Sequence, residues 1–225
     1  MNPWKKYFAT AGALVTLGVS AFAQVQVRFE PRHHNVLENS WVRVLDVNIP
    51  PGDTTLYHQH TTPSVIVMLT SRKIGSQLLG EKPVASVTVT GNIRYASYQE
   101  SPITHRVWNE DTGLYHVMDI ELTGKPAGEV QMPILLAPMK LLFRQREVTA
   151  YSIVIAKSER IQQQPSSQPM LMISTAGTAI ITVQGTSQPV QLTTGKFLWI
   201  DPSKKFNLEG LTEKTAELVL LVFSQ

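Results

Sequence analysis

The sequence predicts an all-β protein, a sandwich or barrel, and three observations carry that prediction. Its apolar segments are short and rich in β-branched residues, turn residues recur between them at regular intervals, and few segments keep a helical period beyond two turns. The chain has 225 residues, 43% of them apolar and 16% charged, with no cysteine. Such a composition is globular and excludes a disordered tail, a coiled coil and a disulfide scaffold. Lacking thiols, the chain has no zinc ribbon or Cys-x-x-Cys redox centre, so any metal must bind imidazole or oxygen.

Residues 1–23 read as a secretory signal. Lys5 and Lys6 precede an apolar run from Tyr7 to Val19, and Ala21-Phe22-Ala23 presents the small-x-small pattern that a signal peptidase cuts, here before Gln24. The run is shorter than the roughly 20 residues of a membrane span. A cleaved signal, a periplasmic or secreted location and no stable membrane anchor are therefore expected. Of 20 basic and 17 acidic side chains the segment takes two lysines and no acid, which leaves 18 against 17. That balance gives no electrostatic reason to expect nucleic acid as a partner.

In chain order, the strand signals of the first half are Trp41 to Val47, Leu56 to His60, Val65 to Leu69, Val87 to Val89, Tyr95 to Tyr98 and Tyr115 to Leu122. Pro50-Pro51-Gly52, Gly91-Asn92 and Asp111-Thr112-Gly113 supply turns between them. Thr123 to Gly128 is rich in turn residues, and with Pro133 and Pro138 it marks a linker over residues 126–146. Beyond it come Tyr151 to Ile155, Met170 to Ile173, Ala179 to Val183 and Leu218 to Phe223, with turns at Gly185-Thr186-Ser187 and Asp201-Pro202.

The two stretches look like tandem copies, an N-terminal domain over 24–125 and a C-terminal domain over 147–225. His58-Gln59-His60 sets over Gln164-Pro165-Ser166 at an offset of 106 residues, and Pro102 sets over Pro202 at an offset of 100.

All six histidines, at 33, 34, 58, 60, 105 and 116, lie before residue 117. Alternation along Leu56 to His60 puts His58 and His60 on one face, a ready clamp for a metal ion, and His105 is placed on another strand to supply a third ligand. Neutral imidazole suits iron, copper, nickel and zinc, and a three-histidine site leaves coordination positions open. In the second copy Gln164, Ser166 and Lys205 stand over these three, a set that does not bind a divalent metal. His116 alternates with Met118, Ile120 and Leu122 and is expected to be a core histidine with a hydrogen-bonded partner. His33 and His34 lie in a polar lead-in and are expected on the surface. Tyr57, Tyr98 and Tyr115, with Trp41, Trp108 and Trp199, read as packing residues. Glu38 and Arg43 read as an exposed pair of little worth.

These residues carry a resemblance to a known family. Gly52, His58 and His60 in the spacing Gly-x5-His-x-His resemble the first motif of the cupins. His105-Arg106-Val107-Trp108-Asn109 resembles the His-x-x-x-Asn end of the second, and Glu38 to Leu45 looks like the opening strand of many small bacterial cupins. The resemblance covers residues 33–122 and extends weakly over 147–225. It implies a double-stranded β-helix barrel with a divalent metal in its mouth, held by His58, His60 and His105, and a degenerate second barrel completing a bicupin. Iron is the first metal it implies, with manganese, nickel or zinc as alternatives.

The sequence also departs from the family. Ser64 and Val65 occupy the positions of the motif's glutamate with no carboxylate replacing it, Gly75 comes late for the closing glycine, and Pro102 alone remains of the Pro-x-Gly lead. The site is therefore similar to the three-histidine thiol dioxygenase branch. Oxygenation or isomerisation of a small organic molecule is what the resemblance implies. The alternative is a non-catalytic binding or sensor protein. Cupins commonly dimerise through sheet edges, so a homodimer is also implied.

Overall fold

The structure is a computed structural model, and it describes residues 24–125 and 139–224. The expected signal segment, and residues 126–138 of the expected linker, lie outside the described residues. Ten strands lie within residues 24–125: β1 (Val25–Gln26), β2 (His33–Glu38), β3 (Val42–Ile49), β4 (His58–His60), β5 (Ser64–Met68), β6 (Lys73–Leu78), β7 (Val84–Val87), β8 (Ile93–Ala96), β9 (Ile103–Asn109) and β10 (Tyr115–Leu122). They make two five-stranded sheets, in the orders β1-β4-β9-β6-β7 and β2-β3-β10-β5-β8. Nine follow: β11 (Met139–Arg144), β12 (Val148–Ile155), β13 (Arg160–Gln163), β14 (Met170–Ala176), β15 (Thr178–Val183), β16 (Val190–Thr193), β17 (Phe197–Ile200), β18 (Phe206–Gly210) and β19 (Ala216–Phe223). Their sheets run β11-β12-β19-β14-β17 and β13-β18-β15-β16. Strand for strand, β11 to β19 repeat the order of β2 to β10.

The period-2 pattern decides what each sheet faces. On β3, Leu45, Val47 and Ile49 point into the first barrel, where they meet Val27, Ile66, Ile74, Tyr115 and Val117. On the other face of the same sheet Val42, Val44, Val65, Val67, Leu69, Met118, Ile120 and Leu122 form one buried layer with Val148, Ala150, Leu171, Ile173, Val219, Leu221 and Phe223 of the second unit. The second barrel is filled by its own cluster around Tyr151, Ile153, Ile181, Phe206 and Leu220. Strands such as β5 and β19 are apolar on both faces because both faces are covered. A fully buried side chain of this kind contributes about 1.5–3 kcal/mol.

Two elements correct the sequence reading. The lead-in that holds His33 and His34 is the edge strand β2, bulged between Asn35 and Leu37 where it pairs with β3. Its residues read as surface because His33 is its only buried member. The last part of the expected linker is β11, which pairs with β12, so the second unit begins upstream of residue 147.

Candidate metal centre

The two motifs are tied together by backbone. Gly52 sits in the turn after β3 with φ +72, and its N–H donates to the Asn109 carbonyl at 3.0 Å. Buried Asn109 donates to the Ile49 and Gly113 carbonyls at 2.9 and 2.7 Å, and its Oδ1 accepts from the Asp111 N–H. The motif's asparagine is thus a staple that fixes the end of β9 against β3. That anchoring sets the β4–β9 register, in which His58 stands opposite His105 and His60 opposite Ile103. With His58 and His60 both facing inward, the ligand atoms of all three histidines lie within 4.8 Å of one another.

The hydrogen bonds orient the rings. His58 Nδ1–H donates to the Leu56 carbonyl at 2.9 Å, which leaves Nε2 buried with no hydrogen-bond partner. His60 Nδ1 lies 3.4 Å from Asp119 Oδ2, and its Nε2 is 3.1 Å from His105 Nε2. Metal–nitrogen bonds of about 2.0–2.1 Å place neighbouring ligands on one ion roughly 3 Å apart, so that separation suits two ligands of a single ion. An orphaned imidazole nitrogen and two converging Nε2 atoms are what a divalent cation would satisfy. Protonation states agree. Burial, helped by His33 and His105, pushes His58 down to about 2. Burial, then His33 and Arg94, pushes His105 down to about 4, and His60 is lowered further by burial and its neighbouring imidazoles. All three are neutral at physiological pH, as metal ligands must be.

The triad lines a cavity of about 620 Å³ whose wall includes Val47, Ile49, Ile66, Met68, Val107, Tyr98, Tyr115 and Val117. Three further residues surround the site that the sequence reading did not place there. His33, expected on the surface, is buried with its ring centre 4.7 Å from that of His58. Its Nδ1 bonds Glu30 Oε2 at 2.6 Å. Glu30 also accepts from the Arg32 and Leu56 N–H groups at 2.8 and 3.1 Å, and is equally buried. Asp119 is a carboxylate near the place left by the missing glutamate, supplied by β10 and standing behind His60. Burial, reinforced by Glu121, raises it to about 7. Alternation carried a signal for Asp119: it lies on the face of β10 opposite His116. No comparable signal existed for Glu30 and His33, which are joined through the turn after the short 3₁₀ segment Val27–Phe29.

His34 is exposed as expected. His116 is outside the triad, bonded to Asp46 at 2.5 Å, at the margin of the layer between the units. A Cβ at Gly195 of the second unit would come within 2.8 Å of its ring. The Glu38–Arg43 pair is less exposed than expected, because Arg43 is buried and also bonds Glu121, each carboxylate at 2.7 Å. Trp108 lies across Gly75, where a Cβ would stand 2.0 Å from the indole, which explains a glycine at that point of β6.

In the second unit the expected trio is displaced by one residue. Gln163 stands opposite Phe206 as His58 stands opposite His105. Gln164 and Lys205 are exposed, and a shift of one residue turns a strand position to the opposite face. Followed through the sheet registers, Met139, Gln163, Phe206 and Leu220 take the places of His33, His58, His105 and Asp119. A mostly apolar layer replaces the polar one, and among the described residues the second unit has no metal-ligand cluster.

No protein-family model and no curated protein sequence matches the chain. Solved structures do. A cupin 2 conserved barrel domain protein from Leptotrichia buccalis is 11% identical over 84% of this chain and 86% of its own, with a TM-score of 0.53. A salicylate 1,2-dioxygenase from Pseudaminobacter salicylatoxidans is 8% identical over 81% and 71%, with a TM-score of 0.57. An oxalate decarboxylase is 10% identical over 85% and 75%, with a TM-score of 0.54. Identities this low show a shared fold alone. The chain has the cupin fold, the double-stranded β-helix barrel, and its His58, His60 and His105 form a cluster able to hold a metal ion.

Proposed function

We propose that the chain is an exported, metal-binding bicupin in which residues 24–125 form the working domain and residues 147–225, together with β11, a degenerate companion. The observation that carries the reading is the convergence of three neutral imidazoles on one wall of a cavity of about 620 Å³. His58, His60 and His105 would hold a divalent ion, iron first, with manganese, nickel or zinc as alternatives. When bound, such an ion supplies a Lewis acid with positions open to a small molecule.

The chain's own residues do the rest. Leu56 holds the tautomer of His58, Asp119 stands 3.4 Å behind His60, Glu30 holds His33 beside the triad, and the wall around them is mostly aliphatic. The reaction class is oxygenation or isomerisation of a small organic molecule, a class supported by the presence of a dioxygenase among structures of this fold. A binding or sensor role without turnover is favoured by one feature: Asp119, the one carboxylate among the described residues lining the cavity, is buried behind His60 and pushed toward its protonated form.

Metal analysis of protein purified without a histidine tag, followed by oxygen-electrode readings with catechols and flavonols, tests the reading. One ion per chain with oxygen uptake is the expected result. One ion without uptake would exclude oxygenation and leave isomerisation or the binding role, and protein that takes up no ion would end the metal reading. Export is tested separately by the mass of the protein recovered outside the cytoplasm, which should begin at Gln24.

A further inference from the structure

Arg94 is the only lysine or arginine among the described residues lining the cavity. It lies on β8, whose Ile93 and Tyr95 pack into the layer between the units, so alternation turns Arg94 the other way, into the barrel beside Ile66. Its Nη2 donates to the Tyr98 hydroxyl at 3.2 Å. Tyr98 is buried, and its ring centre lies 4.7 Å from that of His60. The guanidinium therefore stands one side chain away from the triad. None of the ion pairs among the described residues includes Arg94. An exposed arginine without a partner is ordinary. Arg94 is itself exposed, and it differs in lining the cavity and donating to a buried tyrosine that packs on His60.

Three neutral imidazoles around a divalent ion, with this guanidinium beside them, make a cavity with excess positive charge and mostly apolar walls. The ligand that answers such a surface has a singly charged head and an apolar body. A planar guanidinium matches a carboxylate through two parallel N–H···O bonds. A doubly charged phosphate calls for more than one cationic partner, and Arg94 is the one lysine or arginine among the described residues lining the cavity.

We propose that the ligand of this cavity is a small organic carboxylate, its head gripped by Arg94 and a hydroxyl or keto oxygen on the neighbouring carbon turned toward the triad. The orientation of that second oxygen rests on the metal reading given above. The grip of Arg94 on the carboxylate does not, and the two separate by experiment.

The full-length protein, metal-free and loaded with Co(II), is titrated with benzoate, 2-hydroxybenzoate, 2-hydroxybenzamide and phenyl phosphate, read by calorimetry and by the visible Co(II) absorption. Wild type should bind both carboxylates, and the neutral amide at least about tenfold more weakly, the loss expected for a charge-assisted pair. Arg94→Gln should lose about tenfold or more for the carboxylates and nothing for the amide, with melting temperature and Co(II) content unchanged. The 2-hydroxy group should shift the Co(II) spectrum where benzoate does not.

Equal carboxylate affinity in Arg94→Gln, tighter binding of phenyl phosphate than of benzoate, or no carboxylate binding by wild type at millimolar concentration would each overturn the assignment. Co(II) uptake equal in wild type and His58→Ala would instead overturn the metal reading, and benzoate binding that depends on Arg94 would survive it.

Discussion

Unfolding of the metal-free protein should take up close to two protons near pH 5, and fewer as the pH rises toward 6.5. His58, His60 and His105 are all held neutral by burial, with His58 pushed down to about 2 and His105 to about 4. In the unfolded chain each returns to about 6.5. Because the folded pKa lies below the unfolded one, the unfolded chain binds the extra protons, and stability falls as pH falls below about 6.5. Each imidazole contributes about 1.4 kcal/mol per pH unit. Asp119 works in the opposite sense. Burial raises it to about 7, so below that pH the folded chain keeps a proton that the unfolded carboxyl releases.

Three protons against one leave two, or about 2.7 kcal/mol per pH unit. That is a large share of a typical stability of about 5–15 kcal/mol. Glu30 and Asp46, whose pKa values are lowered by their histidine partners against the effect of burial, lose their contributions only below the ordinary carboxylate range, outside this window. Urea titrations of chelator-treated protein at several pH values between 5 and 6 measure the slope. His105→Gln should remove one proton and halve it. The same slope in wild type and variant would refute the view that the barrel keeps the triad neutral.

Removing a ligand tests the site directly: His58→Ala or His105→Ala should abolish metal uptake while the far-ultraviolet dichroism stays that of wild type, and an unfolded variant would make the ion structural. Gln164→Ala, on the exposed side of the second unit, should leave metal content unchanged. Ile120→Ala, in the layer between the units, should cost about 2–5 kcal/mol in a urea melt, and a loss too small to measure would mean that the two sheets are not packed together. Gly75→Ala drives a methyl into the Trp108 ring, so the tryptophan fluorescence should change and stability fall by about 1–3 kcal/mol; an unaltered spectrum would contradict the close approach.

The long β-branched strands were legible in the sequence because burial on one or both faces leaves an unmistakable apolar pattern, as in Tyr115–Leu122 and Ala216–Phe223. The strands that escaped notice are short or turn few apolar residues inward. β2 buries a histidine rather than an aliphatic side chain, and β13 turns only Ile161 and Gln163 inward. The triad was legible because two ligands share a strand face and the third follows a recognisable motif. Glu30 and His33 were not, since their pairing exists only once the chain has turned and β2 has docked on β3. The one-residue error at Gln164 and Lys205 has a similar origin. Offsets between the halves change from 106 at Val42 and Val148 to 101 at Leu122 and Phe223, and loops of unequal length leave no sequence signal for the residue at which each step falls.

The wall between the two units is one strand thick where it backs the candidate site. On β10, Asp119 faces His60 while the next residue, Ile120, faces the second unit, whose Leu221 and Phe223 belong to the same buried layer. The histidine-free half is therefore a splint for the chemistry of the other. Made as separate polypeptides, the halves would each carry a bare aliphatic face and would seek one another out. A substitution at Leu221 would be felt as a change in ligand affinity, although nothing of that residue enters the cavity.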